Sequence, residues 1–166
     1  MQNLSVRIFP DPILQKQCKE VDNVDEKIVK LTKSMIETMK DSDGVGLSAP
    51  QVGILKRIFV CRDFSDEDKE TFLILINPTI IDYQGRVESK EGCLSIPGFY
   101  EYIYRYEKIN MKALDINGEE QNFHSDGQQS IVFQHEFDHL NGILFPERMT
   151  QIKKEIFLKR INKAFK

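Results

Sequence analysis

Long apolar runs are missing from this chain of 166 residues. None approaches the ~20 residues that a membrane-spanning helix needs, so a helical membrane protein is not expected. The first residues lack the charged-then-apolar pattern of a secretion signal, and no Arg/Ser-rich transit segment precedes the patterned sequence, so secretion and organelle import are not expected either. Cysteine is scarce: Cys18, Cys61 and Cys93 are the whole set. An odd number without framework spacing argues against a disulfide-built domain and for a reducing, cytoplasmic setting. Histidine is equally scarce, with only His124, His135 and His139. Internal repeats and low-complexity stretches are absent. What remains is 40% hydrophobic and 30% charged, with a net charge of −3. That composition suits one soluble globular domain with a real core.

Two of the three histidines stand in His135-Glu136-Phe137-Asp138-His139, the pattern His-Glu-x-x-His. On a helix, residues four apart share a face one turn apart, so both imidazoles can address one metal ion. Glu136 is offset around the helix and is free to act as a base. This arrangement activates a water for attack on a carbonyl. A helix is the right setting. Gly127 breaks the preceding segment, and Ile131, Val132, His135, Phe137, His139 and Leu140 alternate with polar residues at helical spacing. Asn141-Gly142 and then Pro146 stop it. The spacing predicts a helix over Gln128–Leu140.

Two histidines do not hold a catalytic metal; three protein ligands and an open position are usual. A protease-type third His is missing, because Phe145 stands at that position. His124 lies in Glu119–Asp126, a segment that reads as polar and turn-like, and is a poor candidate. Glu147 and Glu155 are the candidates for a downstream Glu ligand, without motif support. Cys93 is better placed. It follows Gly92, which lets the backbone approach another group closely. Thiolate with imidazole suits Zn²⁺ or Fe²⁺.

Three further patterns organise the chain. Val24–Lys40 carries Val24, Ile28, Leu31, Met35 and Met39 at helical spacing, and Gln151–Ala164 reads as a third helix. Strand-like runs occur at Arg57–Cys61, at Phe72–Ile81 with Pro78 interrupting, and at Lys108–Asp115; Asn117-Gly118 is a hairpin turn. Cys93 falls in an extended segment facing the metal helix. The expected class is α+β: a single domain with mixed or antiparallel sheets packed around a central HExxH helix, plus N-terminal and C-terminal helices.

Three motifs in order, Gly44-Val45-Gly46-Leu47-Ser48-Ala49-Pro50-Gln51, Glu91-Gly92-Cys93-Leu94-Ser95 and Gln134-His135-Glu136-Phe137-Asp138-His139-Leu140, resemble those of the peptide deformylase family. The resemblance runs from Pro10 to about Phe145. It implies a metal-dependent hydrolase that removes the formyl group from the N-terminal formylmethionine of newly made bacterial polypeptides. It implies that Cys93, His135 and His139 bind one divalent metal, Fe²⁺ in the cell, with Zn²⁺, Ni²⁺ or Co²⁺ able to substitute. Glu136 becomes the general acid/base. The Gln51 amide and the Leu94 backbone N–H polarise the formyl oxygen. Gly46 contacts the peptide backbone, and Val45, Ile131 and Val132, beside His135, form the methionine pocket. Ser48, Gln128, Gln129, Tyr100 and Tyr106 depart from common family choices, and Gln128 and Gln129 bear on the pocket if they line it. Around the ligands, Glu91 is expected to organise the Cys93 side and Asp138 to pair with Arg105.

Two rivals share the motif. A metalloendopeptidase would use a Glu ligand and tolerate loss of Cys93. A metal-stabilised binding module would need a fourth protein ligand, for which His124 is the spare histidine. The Gly44/Gly46 loop does not read as a phosphate cradle, because no Lys-Ser/Thr pair follows it. Residues 1–149 are read as the catalytic part. Residues 150–166 form a basic helix with Lys153, Lys154, Lys159, Arg160, Lys163 and Lys166 against Glu155, either packed on the body through Ile152, Ile156 and Ile161 or docking on the ribosome, as in some members of the family.

Overall fold

The computed structural model describes residues 4–66 and 68–165; of the basic tail, Lys166 lies outside them. Helix α1 runs over Glu26–Asp41. Asp25 caps it by accepting the Ile28 N–H at 3.0 Å, so Val24 stays outside the helix that periodicity had begun there. Ile28, Met35 and Met39 form its buried stripe.

Five strands make the main antiparallel sheet: β1 (Gly46–Ser48), β2 (Ile58–Arg62), β3 (Phe72–Gln84), β6 (Lys108–Leu114) and β7 (Glu120–Asp126), in the order β1-β2-β3-β6-β7. A second sheet is the hairpin β4 (Val87–Cys93) and β5 (Ile96–Arg105). The second helix, α2, spans Gly127–Leu140, and α3 spans Gln151–Ala164. The main sheet is buried on both sides at β2, where successive side chains serve different cores. Ile58 and Val60 pack with α1, while Phe59 and Cys61 pack with Val132, Phe133 and Leu140 of α2. Helix α2 therefore lies between the main sheet and the β4–β5 hairpin, and its buried positions are not confined to one stripe.

Several sequence expectations need correction. Strand β3 continues through Pro78 to Gln84, with a register shift between Ile76 and Thr79. The bulge accommodates the missing proline N–H. Asn77 takes a φ of 51° there, and its side chain bonds both the N–H and the C=O of Val21. Glu119–Asp126 is not a turn-like segment. Glu120–Asp126 is a strand, and its polarity reflects a place at the sheet edge, where one side meets solvent. In α3 the packed residues are Phe157 and Ile161, in a core with Leu144 and Phe145. Ile152 and Ile156 are exposed, contrary to the expected packing, because they lie on the opposite side of the helix from Phe157 and Ile161.

Candidate active site

Helical spacing brings His135 Nε2 and His139 Nε2 to 3.2 Å of each other. Strand β4 ends at Cys93, whose Sγ lies 3.3 Å from His139 Nε2. The three ligand atoms all fall within 4.8 Å of one another. Two imidazole nitrogens bound tetrahedrally to one ion at 2.0–2.1 Å would be about 3.4 Å apart, so the spacing fits a shared cation. The donor set, one sulfur and two ring nitrogens, suits Zn²⁺ or Fe²⁺. Among the described residues this is the group of three or more metal-type side chains so arranged.

Buried charges fix the cluster from behind. Glu91 Oε1 lies 2.9 Å from His135 Nδ1, which leaves Nε2 free to face the other ligands. Arg105 donates to both Glu91 oxygens, at 2.8 and 3.0 Å, and to Asp138 at 2.6 Å. Arg148 donates twice to Asp138. Burial alone would raise the Glu91 pKa. The hydrogen bonds from His135 and Arg105 outweigh it and hold the carboxyl at about 2. The expected Asp138–Arg105 pair is thus present, and Glu91 organises His135 directly rather than the thiol.

A cleft of about 480 Å³ opens over this cluster. Gln51, Cys93, Leu94, His135 and Glu136 contribute to its wall. Glu136 is almost wholly buried, and its Oε2 has no hydrogen-bond partner. Burial pushes its carboxyl up to about 7 against the opposing pull of His135; a cation at the cluster would draw it down again. Gln51 occupies the one-turn 3₁₀ segment Ala49–Val52 that follows β1. Its Nε2 lies 3.2 Å from Ser95 Oγ and 3.4 Å from Cys93 Sγ. A buried carboxylate, an amide donor and two members of the metal-type triad therefore meet on one wall, the kinds of group that can hydrolyse an amide.

The family model for polypeptide deformylase matches residues 4–155. The chain belongs to the peptide deformylase family. It is 40% identical over 160 residues to a peptide deformylase of Thermodesulfovibrio yellowstonii, covering 96% of this chain and 97% of that protein. Its fold matches the crystal structure of a peptide deformylase from Legionella pneumophila with a TM-score of 0.89 at 36% identity, covering 98% and 95% of the two chains. The Ehrlichia chaffeensis peptide deformylase in complex with actinonin gives a TM-score of 0.89 at 39% identity, covering 99% and 98%.

Against this deformylase frame, each residue singled out from sequence has a definite place. Val45, Gly46, Ile131 and Val132 all line the cleft. Strand β1, which begins at Gly46, is an edge strand hydrogen-bonded to β2 alone. Gln128 reaches the cleft. Gln129 is instead tied to the Phe64 N–H at 2.9 Å and lies 3.5 Å from Cys61 Sγ. Tyr100 lies at the cleft over Gly92, where a Cβ would stand 2.6 Å from its Cδ1. Tyr106 donates its N–H to Gln134 Oε1 at 2.9 Å, a bond that a proline would lack. His124 stands apart, exposed and 2.7 Å from Asn110 Oδ1. Sequence reasoning missed Arg148 and the hydroxyls of Ser48 and Ser95. Their partners are distant in sequence or hidden in the turn after β1, and only the motif positions of the two serines could have pointed to them.

Proposed function

We propose that this chain is a metal-dependent amidase that removes the formyl group from N-formylmethionyl polypeptides, releasing formate and a free methionine amine. The observation that carries the reading is the Cys93, His135 and His139 cluster set against a cleft whose wall includes Cys93, His135, Glu136 and Gln51. Cys93, His135 and His139 would hold one divalent cation, Fe²⁺ in the cell, with Zn²⁺, Ni²⁺ or Co²⁺ able to replace it. Such an ion supplies Lewis acidity, making water nucleophilic near neutral pH.

The protein's own side chains do the rest. Glu136 takes a proton from the attacking water and returns it to the leaving amine nitrogen. Gln51 Nε2–H and the Leu94 N–H donate to the formyl oxygen as negative charge develops; one such donor contributes about 3–4 kcal/mol. Val45, Ile131 and Val132 give the methionine side chain an apolar wall. Gly46, on an edge strand, offers backbone groups to an extended peptide.

Residues 1–149 carry the catalytic groups in this reading. The burial of Phe157 and Ile161 supports counting 150–166 as part of the same domain. Lys153, Lys159, Arg160 and Lys163 are exposed on α3, beside the exposed Ile152 and Ile156. That surface supports contact with the ribosome, whose RNA would make binding salt-dependent. Charge reversal at Lys153, Lys159 and Lys163 should abolish co-sedimentation with ribosomes; unchanged co-sedimentation would remove the ribosome from the reading. No helix among the described residues is long and apolar enough to cross a membrane, and the bacterial cytoplasm, where formylated chains are made, is the proposed site of action.

The deciding assay is formate release from formyl-Met-Ala-Ser by protein purified without oxygen and loaded with Fe²⁺ or Ni²⁺, with acetyl-Met-Ala-Ser as control. Formate from the formyl peptide alone is expected. Absence of formate from folded, loaded protein would refute the assignment.

A further inference from the structure

Ser48 is fully buried, is not among the cleft-lining residues, and closes β1 just before the 3₁₀ turn that carries Gln51. Its backbone N–H lies 2.9 Å from Gln51 Oε1. A backbone N–H only donates, so that end of the amide is the oxygen, and Nε2 must point the other way, toward Cys93 and Ser95. The Ser48 hydroxyl adds a second donor to the same oxygen, also at 2.9 Å; the Glu136 carboxyl lies near the same hydroxyl, and an effect through that carboxyl would persist when Gln51 is removed. Two donors on Oε1 restrain rotation of the amide about its last torsion. They also draw electron density toward the oxygen, which strengthens the N–H groups at the opposite end. One of those N–H groups meets Ser95 Oγ, and the other is left toward Cys93 and the cleft.

We propose that Ser48 is a positioning residue for the hydrolysis, acting through Gln51: its hydroxyl orients and polarises the amide that donates to the formyl oxygen. The proposal rests on the reading of Gln51 given above. Ser48 never touches substrate, so its effect belongs to the step in which charge develops and not to ground-state binding.

A double-mutant cycle tests it. Ser48→Ala, Gln51→Ala and the double variant are loaded with Ni²⁺ and assayed on formyl-Met-Ala-Ser, with Ni²⁺ content and thermal midpoint measured alongside. Ser48→Ala should lower kcat about three- to tenfold, the scale of one lost hydrogen bond, with KM and Ni²⁺ content unchanged. In the Gln51→Ala background the same substitution should cost no further loss. Ser48→Cys, which keeps the shape with a weaker donor, should fall between Ser and Ala. An unchanged kcat in Ser48→Ala, or an equal fold-loss in both backgrounds, would overturn the proposal while leaving Gln51 its role. An unchanged kcat in Gln51→Ala would overturn the reading of Gln51 and the proposal with it. If Ser48→Ala loses Ni²⁺ or its thermal midpoint, Ser48→Cys decides: kcat equal to wild type there overturns the idea.

Discussion

A Cβ built on Gly46 would stand 2.9 Å from Cδ of Glu136 and 3.0 Å from its Cγ. The side chain proposed to carry the proton is thus packed directly against the edge-strand backbone that lines the cleft. Gly46 needs to be glycine for that reason and not for its φ. Gly46→Ala should push the carboxyl from its place and lower kcat by about 10²-fold, the scale of an ångström-sized misplacement. Metal content should be unchanged. A Gly46→Ala protein with full kcat would show that Glu136 tolerates displacement.

Glu136 and Cys93 should fail in different ways. Glu136→Ala is expected to keep the metal and lose about 10²–10⁴-fold in kcat. Cys93→Ser should lose both metal and turnover. Elemental analysis beside the formate assay separates the two. Metal and activity retained in Cys93→Ser would revive the endopeptidase with a Glu ligand.

Arg105 sits between two buried carboxylates, Glu91 and Asp138. Arg105→Met would leave both without that partner. Breaking a buried ion pair in this way costs about 3–5 kcal/mol. Because Glu91 holds His135, metal affinity should also fall by about 10–100-fold. Urea unfolding gives the first number and chelator competition the second. A variant with wild-type stability would mean that the two carboxylates find other partners.

The three thiols should differ sharply in reactivity. Burial pushes Cys18 up to about 11, with Arg57 pulling the other way. Burial, followed by the charge of Glu136, holds Cys61 well above its usual range. Both groups stay protonated at pH 8, and a protonated thiol is a poor nucleophile. Cys93 is partly exposed. Iodoacetamide at pH 8 should therefore add once, to Cys93, and only after the metal is removed. A second adduct on the folded protein, found by peptide mass mapping, would contradict the burial argument.

Helix α3 should divide into two faces by stability. Phe157→Ala removes a ring that packs edge-on against Phe145 and Phe99, and should cost about 3–5 kcal/mol. Ile152→Ser and Ile156→Ser, on the exposed side, should stay within about 0.5 kcal/mol of wild type. Deleting the whole helix would open the core around Leu144 and Phe145, so the basic surface is better tested by charge reversal than by truncation.

The sequence by itself determined the chemistry. His-Glu-x-x-His at helical spacing and a cysteine after a glycine picked out His135, Glu136, His139 and Cys93, which do cluster beside one cleft, while Gln51 came from the likeness of its motif to that of the family. The histidines are legible because a helix converts spacing directly into a shared face. The sequence also determined α1, α2 and α3 to within a residue or two, through periodicity and caps. Tertiary structure decided the rest. Strand β7 reads as loop because an edge strand facing water need not be apolar. Helix α2 reads as a buried central helix and is one, but the partners of its polar groups, Arg105 and Arg148 on Asp138 and Glu91 on His135, come from elsewhere in the chain. Which isoleucines of α3 pack, and which glutamine enters the cleft, depended on the rotation of each helix against its neighbours. Local patterning does not encode that rotation, because exposed and buried faces of similar composition differ only in what is packed against them.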